Sequence, residues 1–474
     1  MPRSNRPKRS KCAKREEPLE IDLDRALRGI KRTEIKNGVE YTVNHQKRQK
    51  PGIYARIKKN GEIESHANIL GGDGAAHRYF LDPAKSTFHV NVSQAKIPLM
   101  PLLKAMGVSD QQMQEAWGQE IWRLNKESVR DNGQAIQKYF ERMVSDRDRP
   151  NFPDHTQGVL AAFAKMKLDP YVSRKTLGYE TDKLDAKAIL SLTKKLVGIS
   201  RGEQAPDNRD DVHYQSVLGP AELFAERITK DYGRMRADLF RKASLRGNLS
   251  GLPANALSRQ LQTVILNSGL ANALEEINPG ETLDKLSKIT SMGEGGLGSV
   301  DAIPDSARNV QNSYYGLIDP ARTVESLRVG IDGNLTSAIR RGRDGKVYAE
   351  MQNVRTGKPQ LLSAEQMSDS VLALPGELNK KTKRVMGIRN GELTYVNRSE
   401  VDYVLPNFER AFSPLGNMVP FKSAMKVHRT TMASRMLTQA LPLTKGEAPL
   451  VQTGIPDEPG ESYENKYGSY FGAI

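Results

Sequence analysis

The stretch M-V-P-F-K-S-A-M-K-V-H-R-T-T-M-A-S-R-M-L-T-Q-A-L-P-L, residues 418–443, holds four Lys or Arg, one His, four Met and no acidic residue. Laid on a helix, Lys422, Lys426 and Arg429 fall on one side at steps of four and three. Met425, Met432 and Met436 lie on a neighbouring face, with Gln439 further along. Two readings fit. One is a surface helix with a solvated basic face. The other is a grip in which Lys and Arg hold a polyphosphate while a soft, adaptable methionine packs on a base. Spacing alone leaves them balanced.

Composition narrows the class. The chain has 474 residues, 38% of them hydrophobic, and a formal net charge of +15. That is enough for several domains and a sizeable core. With a pI near 9.5 and a mean hydropathy of -0.58, such a protein is expected to meet a polyanion, either nucleic acid or an anionic membrane. No apolar run approaches bilayer length and the N-terminus has no apolar signal core, which disfavours the membrane. The lone Cys12 excludes an intramolecular disulfide framework and a cysteine-only metal site, and it fits a reducing compartment. Residues 1–15 carry seven basic residues, two prolines and no acid. They read as a disordered basic arm that either touches phosphates or is simply solvated.

Along the chain, residues 40–57 and 86–92 alternate polar and apolar positions and predict strands, with Pro51-Gly52 as a turn. K-I-P-L-M-P-L-L-K-A-M-G (residues 96–107) predicts a short apolar helix stopped by Gly107. Ser109 then caps a helix, with Gln112 completing a capping box, that runs through Trp117 and Trp122 towards Asn125. Residues 126–200 read as mostly helical with a break at Arg149-Pro150, and 185–196 form one amphipathic helix. Residues 201–211 are a charged loop; 220–243 and 257–274 are two further helices. Residues 347–404 return to strands and loops, with Asn390-Gly391 as a hairpin turn. The pattern is irregular α+β in several lobes.

Few segments carry chemistry by themselves. The glycine-rich S-M-G-E-G-G-L-G-S (residues 291–299) lacks the G-K-[ST] end and following helix of a nucleotide P-loop, and reads as a loop with positive-φ glycines. The seven histidines form no H-x-x-x-H pair. Asp22 and Asp24 precede a helix and read as helix-end acids. No nucleophile–base set and no metal-binding carboxylate set can be argued, so no stand-alone catalytic core is expected. D-N-R-D-D-V-H-Y (residues 207–214) is either a solvated loop before a helix or an ion-pair clasp, and spacing favours the loop. Residues 314–331 place Arg322, Glu325 and Arg328 around a proline turn. That mixture suits a rigid loop aiming arginines at phosphates, or an ordinary turn.

Taken together and in order, five segments resemble the second-largest subunit of multisubunit RNA polymerases, the bacterial β family and its archaeal and eukaryotic relatives. N-G-V-E-Y-T-V-N-H-Q-K-R-Q-K-P-G (residues 37–52) is similar to N-G-x-E-x-V-x-x-Q and its following S-P-G. Residues 96–107 resemble I-P-x-x-x-L-x-A-L-G, and 207–214 resemble the D-D-x-D-H element before a long helix. K-I-T-S-M-G-E-G-G-L (residues 288–297) through residue 331 resembles the fork R-I-S-A-L-G-P-G-G-L and the E-T-P-E-G signature. The 418–443 stretch resembles P-F-x-x-x-D-D-x-N-R-x-x-M-x-x-N-M-x-x-Q-A-V, with Pro420, Phe421, Arg429, Met432, Met436, Gln439 and Ala440 in register.

The resemblance implies an α+β, multi-lobed polymerase β architecture. Its expected parts are a basic arm (1–18), a β-rich protrusion or lobe segment (19–125), a helical lobe segment (126–250), a fork (251–345), and an external or wall region with the start of the active-centre barrel (346–474). It implies a nucleotidyltransferase subunit, inactive without partners. Arg429 would contact the triphosphate of the incoming nucleotide, beside Met432 and Gln439. Lys288, Arg322, Thr323, Glu325 and Arg328 would be fork and template contacts, and Lys422, Lys426 and Arg435 a basic face. Departures are Arg322 for the first signature glutamate, Ser326 for its glycine and Arg328 for its asparagine. Met425 and Lys426 stand where the family has paired aspartates, and His428 and Arg435 where it has asparagines. These mark a diverged lineage. The expected form is an N-terminal β fragment of a split polymerase, as in phiKZ-like giant phages, acting in host cytoplasm or virion. Implied partners are a β C-terminal fragment, β′-like fragments, DNA template, RNA–DNA hybrid, NTPs and a phage promoter-recognition subunit, with no membrane. Mg2+ would be held by the β′-like partner, and this chain would bind no cofactor of its own. The rival reading is a basic nucleic-acid-binding or virion structural protein derived from such a subunit.

Overall fold

The computed structural model describes residues 34–36 and 39–439, except 59, 71–73, 75, 93, 130, 147, 247–256, 275–278, 302, 304 and 343. The 1–18 arm, Asp22, Asp24 and Ala440 lie outside the described residues. The chain forms two compact units, Gln49–Gln215 and a second made by the segments flanking it.

In Gln49–Gln215, five antiparallel strands follow one another in sequence order: Gly52–Ile57, Ile63–Asn68, His77–Asp82, Thr87–Val92 and Ala95–Pro98. Ser109 caps Asp110–Trp117 with the expected box: its Oγ accepts from Gln112 N, and the Gln112 side chain accepts from Ser109 N. Asp185 caps Ala186–Ser200. The helix expected through Trp117 and Trp122 is two helices, because Gly118 takes a φ of 88° between Asp110–Trp117 and Gln119–Ser128. Trp117 packs on Phe88, ring centroids 4.9 Å apart, and its indole N–H donates to Thr193 Oγ1 at 2.8 Å. Sheet and helices share one apolar core from Ile53 to Ile199. The line expected at 125/126 therefore runs through a single core: Asn125 itself is buried and accepts from Phe88 N at 2.7 Å.

The flanking segments build three sheets. The strand order of the five-stranded one is Ile318–Thr323, Asp332–Leu335, Lys288–Thr290, His45–Gln49, Gln215–Leu218. A seven-stranded sheet spans residues 339–404 and ends at the hairpin Arg384–Arg389/Glu392–Asn397. Asn390 and Gly391 turn it with φ of 53° and 78°, the paired positive angles that asparagine and glycine tolerate. Pro220–Arg246 is the long helix expected. The helix expected over 257–274 is short: Ser258–Gln262 runs into a π turn, Thr263–Asn267, and Gly269 (φ 68°) turns the chain into strand Ala271–Ala273.

The 418–443 stretch is not one helix. Val419 precedes Pro420 and is extended (ψ 117°), as a residue before proline must be, and Phe421 takes a φ of 52°. A short helix, Pro414–Met418, a 3-10 turn, Lys422–Ala424, and the helix Val427–Met436 replace it. Lys422 thus lies off the helix and Lys426 is its N-cap, so the basic stripe drawn at steps of four and three does not form.

Candidate functional site

Val427–Met436 sits on strand Ile318–Thr323. Thr431 Oγ1 donates to Ala321 O at 2.6 Å, and Ser434 Oγ accepts from Arg322 Nη1 at 3.2 Å. Thr430, Thr431 and Ser434 are buried, and Leu437 closes a small apolar cluster with Leu415 and Val419. The opposite face carries Arg429, Met432 and Met436 at i, i+3 and i+7, beside His428. Arg429 and Lys426 are exposed, and neither side chain has an ion pair or hydrogen bond among the described residues. No side chain caps the helix start. The uncapped N–H groups and partial positive charge there add to the two cations.

Arg322, expected as a fork and template contact, is 6% exposed and turned inward. Its Nε and Nη2 donate to Asp284 Oδ1 at 3.0 and 2.8 Å. Asn334 Nδ2 donates to the same oxygen at 3.0 Å and to Ser287 Oγ at 2.8 Å. One arginine thereby ties helix Pro279–Ser287, strand Ile318–Thr323 and helix Val427–Met436. Thr323 Oγ1 donates to Asp332 O and accepts from Gly330 N, both at 2.9 Å, closing the loop between them. Gly330 (φ 73°) admits no side chain: a Cβ would stand 2.1 Å from Arg308 O. Glu325 pairs with Arg435 at 2.7 Å and Arg328 with Asp332 at 3.7 Å. Lys288 opens strand Lys288–Thr290, half-buried. Lys422 Nζ donates to Asn417 Oδ1 at 2.6 Å and lies 5.0 Å over the Phe412 ring; burial holds its amine below the usual lysine range. So the structure brings residues 318–335 and 427–436 together, leaves Arg429 and Lys426 outward, and engages Arg322, Glu325, Arg328, Lys422 and Arg435 within the fold.

Residues 272–340, which include Lys288, Arg322, Thr323, Glu325 and Arg328, match the family model for RNA polymerase Rpb2, domain 3. The chain is 24% identical over 467 residues to the DNA-directed RNA polymerase subunit beta of Prochlorococcus marinus (strain NATL1A), covering 89% of this chain and 42% of that one. The same subunit of Synechocystis sp. is 24% identical over 462 residues, covering 89% and 41%. Most of this chain is thus similar to the RNA polymerase β subunit. It spans less than half the length of these relatives.

The glycine-rich loop of this chain is gripped by side chains. Gln46 Nε2 donates to Met292 O at 2.9 Å and Glu294 O at 3.2 Å, and Arg48 Nη2 donates to Glu294 O at 2.8 Å. The Glu294 carboxylate meets Lys230 at 3.1 Å, and Arg48 meets Glu226 at 2.6 Å. Gly295 (φ 78°) brings the backbone so near Arg48 that a Cβ would lie 2.7 Å from its guanidinium carbon. The loop is a structural strap across helix Pro220–Arg246. Sequence reasoning missed Asp284, Asn334 and Asp332; Thr290 Oγ1 donates to Asp332 Oδ1 at 2.5 Å. It also missed Asp319, whose Oδ2 accepts from Ser413 N at 2.7 Å. Nothing in the local sequence marks these residues, since their partners are remote. The exposed apolar side chains Phe421 (83%) and Leu327 (74%) were unforeseen too. Among the described residues, no group of three or more His, Cys, Asp or Glu is placed to hold a metal ion, and no helix is long and apolar enough to cross a membrane.

Proposed function

We propose that this chain works as part of a DNA-directed RNA polymerase and supplies one wall of its active centre. The observation that carries the reading is the outward, unpaired Arg429 on a helix locked to strand Ile318–Thr323. Arg429 contacts the triphosphate of the incoming nucleotide, and Lys426 with the open helix start adds positive potential. Met432, one turn on, and Gln439 border the same nucleotide. Lys288 faces the nucleic acid. Arg322 acts by positioning, since its guanidinium belongs to Asp284. The divalent ions of the reaction are held by a partner β′-like chain and supply charge neutralisation at the phosphates. Template and RNA–DNA hybrid run along the basic surface.

Phosphoryl transfer depends mostly on positioning and charge stabilisation, so removing one donor to a phosphate has a large effect. Arg429→Ala in the assembled enzyme is expected to slow incorporation at limiting nucleotide while leaving subunit assembly intact. Unchanged elongation at limiting nucleotide overturns the assignment.

A further inference from the structure

The hairpin Arg384–Arg389/Glu392–Asn397 forms the edge of the seven-stranded sheet and borders a shallow, open basin. Its lining is Asn379, Lys380, Lys381, Thr382, Lys383, Asn397, Arg398 and Ser399, with no acidic residue. Arg398 shapes the wall: its Nη1 donates to Lys380 O and its Nη2 to Leu378 O, both at 2.6 Å. Lys380 pairs with Glu377. Lys381 and Lys383 are exposed and have no ion pair among the described residues. Arg384, opposite Asn397 in the ladder, adds a further exposed cation. Asn397, Tyr395 and Leu393 alternate onto one face of their strand, each about 7 Å from the next. Tyr395 is 58% exposed and Leu393 50% exposed. The concave lining therefore keeps two unpaired cations, Lys381 and Lys383, beside Lys380 and Asn397, which are bonded to Glu377 and Glu400 at its margin, and the strand through Asn397 presents the exposed Tyr395.

We propose that this basin binds single-stranded nucleic acid, the lysines on successive phosphates and Tyr395 stacked on a base. Cations alone would accept any polyanion. The aromatic platform narrows the ligand, because only an unpaired strand can offer a base face to it. The Asn, Thr and Ser side chains give neutral hydrogen-bonding groups for phosphate or base edges. The proposal uses nothing from the nucleotide site at Arg429 and needs no polymerase activity.

Fluorescence anisotropy of the full chain with labelled dT12, rU12 and a 12-base-pair DNA duplex tests it. Lys381→Glu/Lys383→Glu is expected to weaken binding of the single strands by at least about tenfold. It should also lower the slope of log affinity against log salt by about 1.4, two contacts at roughly 0.7 each. Tyr395→Ala is expected to weaken binding about tenfold with the salt slope unchanged, and Tyr395→Phe to restore it. The exposed pair Lys138→Glu/Lys165→Glu, in the unit Gln49–Gln215, is the control for overall charge. Tighter binding of rU12 identifies RNA as the ligand, tighter dT12 identifies DNA, and equal affinity identifies the chemistry they share. Three results overturn the proposal: equal loss in the control pair, no effect of Tyr395→Ala, or a duplex bound as tightly as the single strands. If melting shows that the charge reversal unfolds the hairpin, Lys381→Gln/Lys383→Gln decides by the same salt slope.

Discussion

In Gln49–Gln215 the centre is one contiguous apolar cluster, with Leu99, Trp117, Tyr139, Phe163, Ile189 and Leu192 all at most 2% exposed. Around Val427–Met436 the small apolar cluster of Leu415, Val419 and Leu437 is joined by many buried polar side chains: Asp319, Arg322, Asp332, Asn334, Thr336, Thr430, Thr431 and Ser434. Apolar burial is non-directional and lets neighbours repack after a small change. A buried polar network holds directions, and it penalises the loss of one partner by leaving the other unsatisfied. The first region suits a domain that has only to stay folded. The second suits a helix that must present Arg429 in one orientation.

The comparison breaks most visibly at Arg322. Arg322→Ala is expected to cost about 3–5 kcal/mol, because Asp284 loses its counter-charge inside the fold. Denaturant unfolding of the full chain reads it, and a loss below about 1 kcal/mol would remove Arg322 as the tie between the three elements. Thr431→Val keeps the shape but strips the donor from Ala321 O, with an expected cost of about 1–3 kcal/mol. Ile189→Val in the apolar core is expected to cost only about 0.5–1.5 kcal/mol. If the two β-branched substitutions came out in the reverse order, the contrast between directional and non-directional regions would fail.

A subtler contrast is pH. Burial, followed by the charges of Arg78, Arg209 and Arg56, pushes the His66 imidazole down to about 4 from 6.5. Between those values the unfolded chain binds the proton and the folded chain does not. Stability from this group is therefore present above pH 6.5 and lost as pH falls towards about 4. His66→Gln should flatten that part of the stability profile; an unchanged slope would show that His66 titrates normally.

What was readable in the sequence follows from how local each cause is. The Ser109/Gln112 box and the Asn390-Gly391 turn act over a few residues, and the structure has them where they were expected. Five degenerate motifs in order were enough to suggest the polymerase β family. The break in residues 418–443 had a local signal, Pro420, that the helical reading overrode. The roles of Arg322 and Gln46 had none: Asp284 is 38 residues from Arg322, and Met292 is 246 from Gln46. The lysine run at 380–383 was visible as charge, but its concavity depends on Arg398 reaching back to two carbonyls.

The most direct measurement is the apparent KM for nucleotide of the assembled polymerase carrying Arg429→Ala, set beside Arg435→Ala on the same helix. Loss of a charge-assisted contact to phosphate predicts a rise of about 10- to 100-fold for Arg429→Ala. Arg435 already has Glu325 as its partner, so its removal should shift KM by less than about threefold. Equal effects of the two substitutions, or an unchanged KM for Arg429→Ala, would contradict the account.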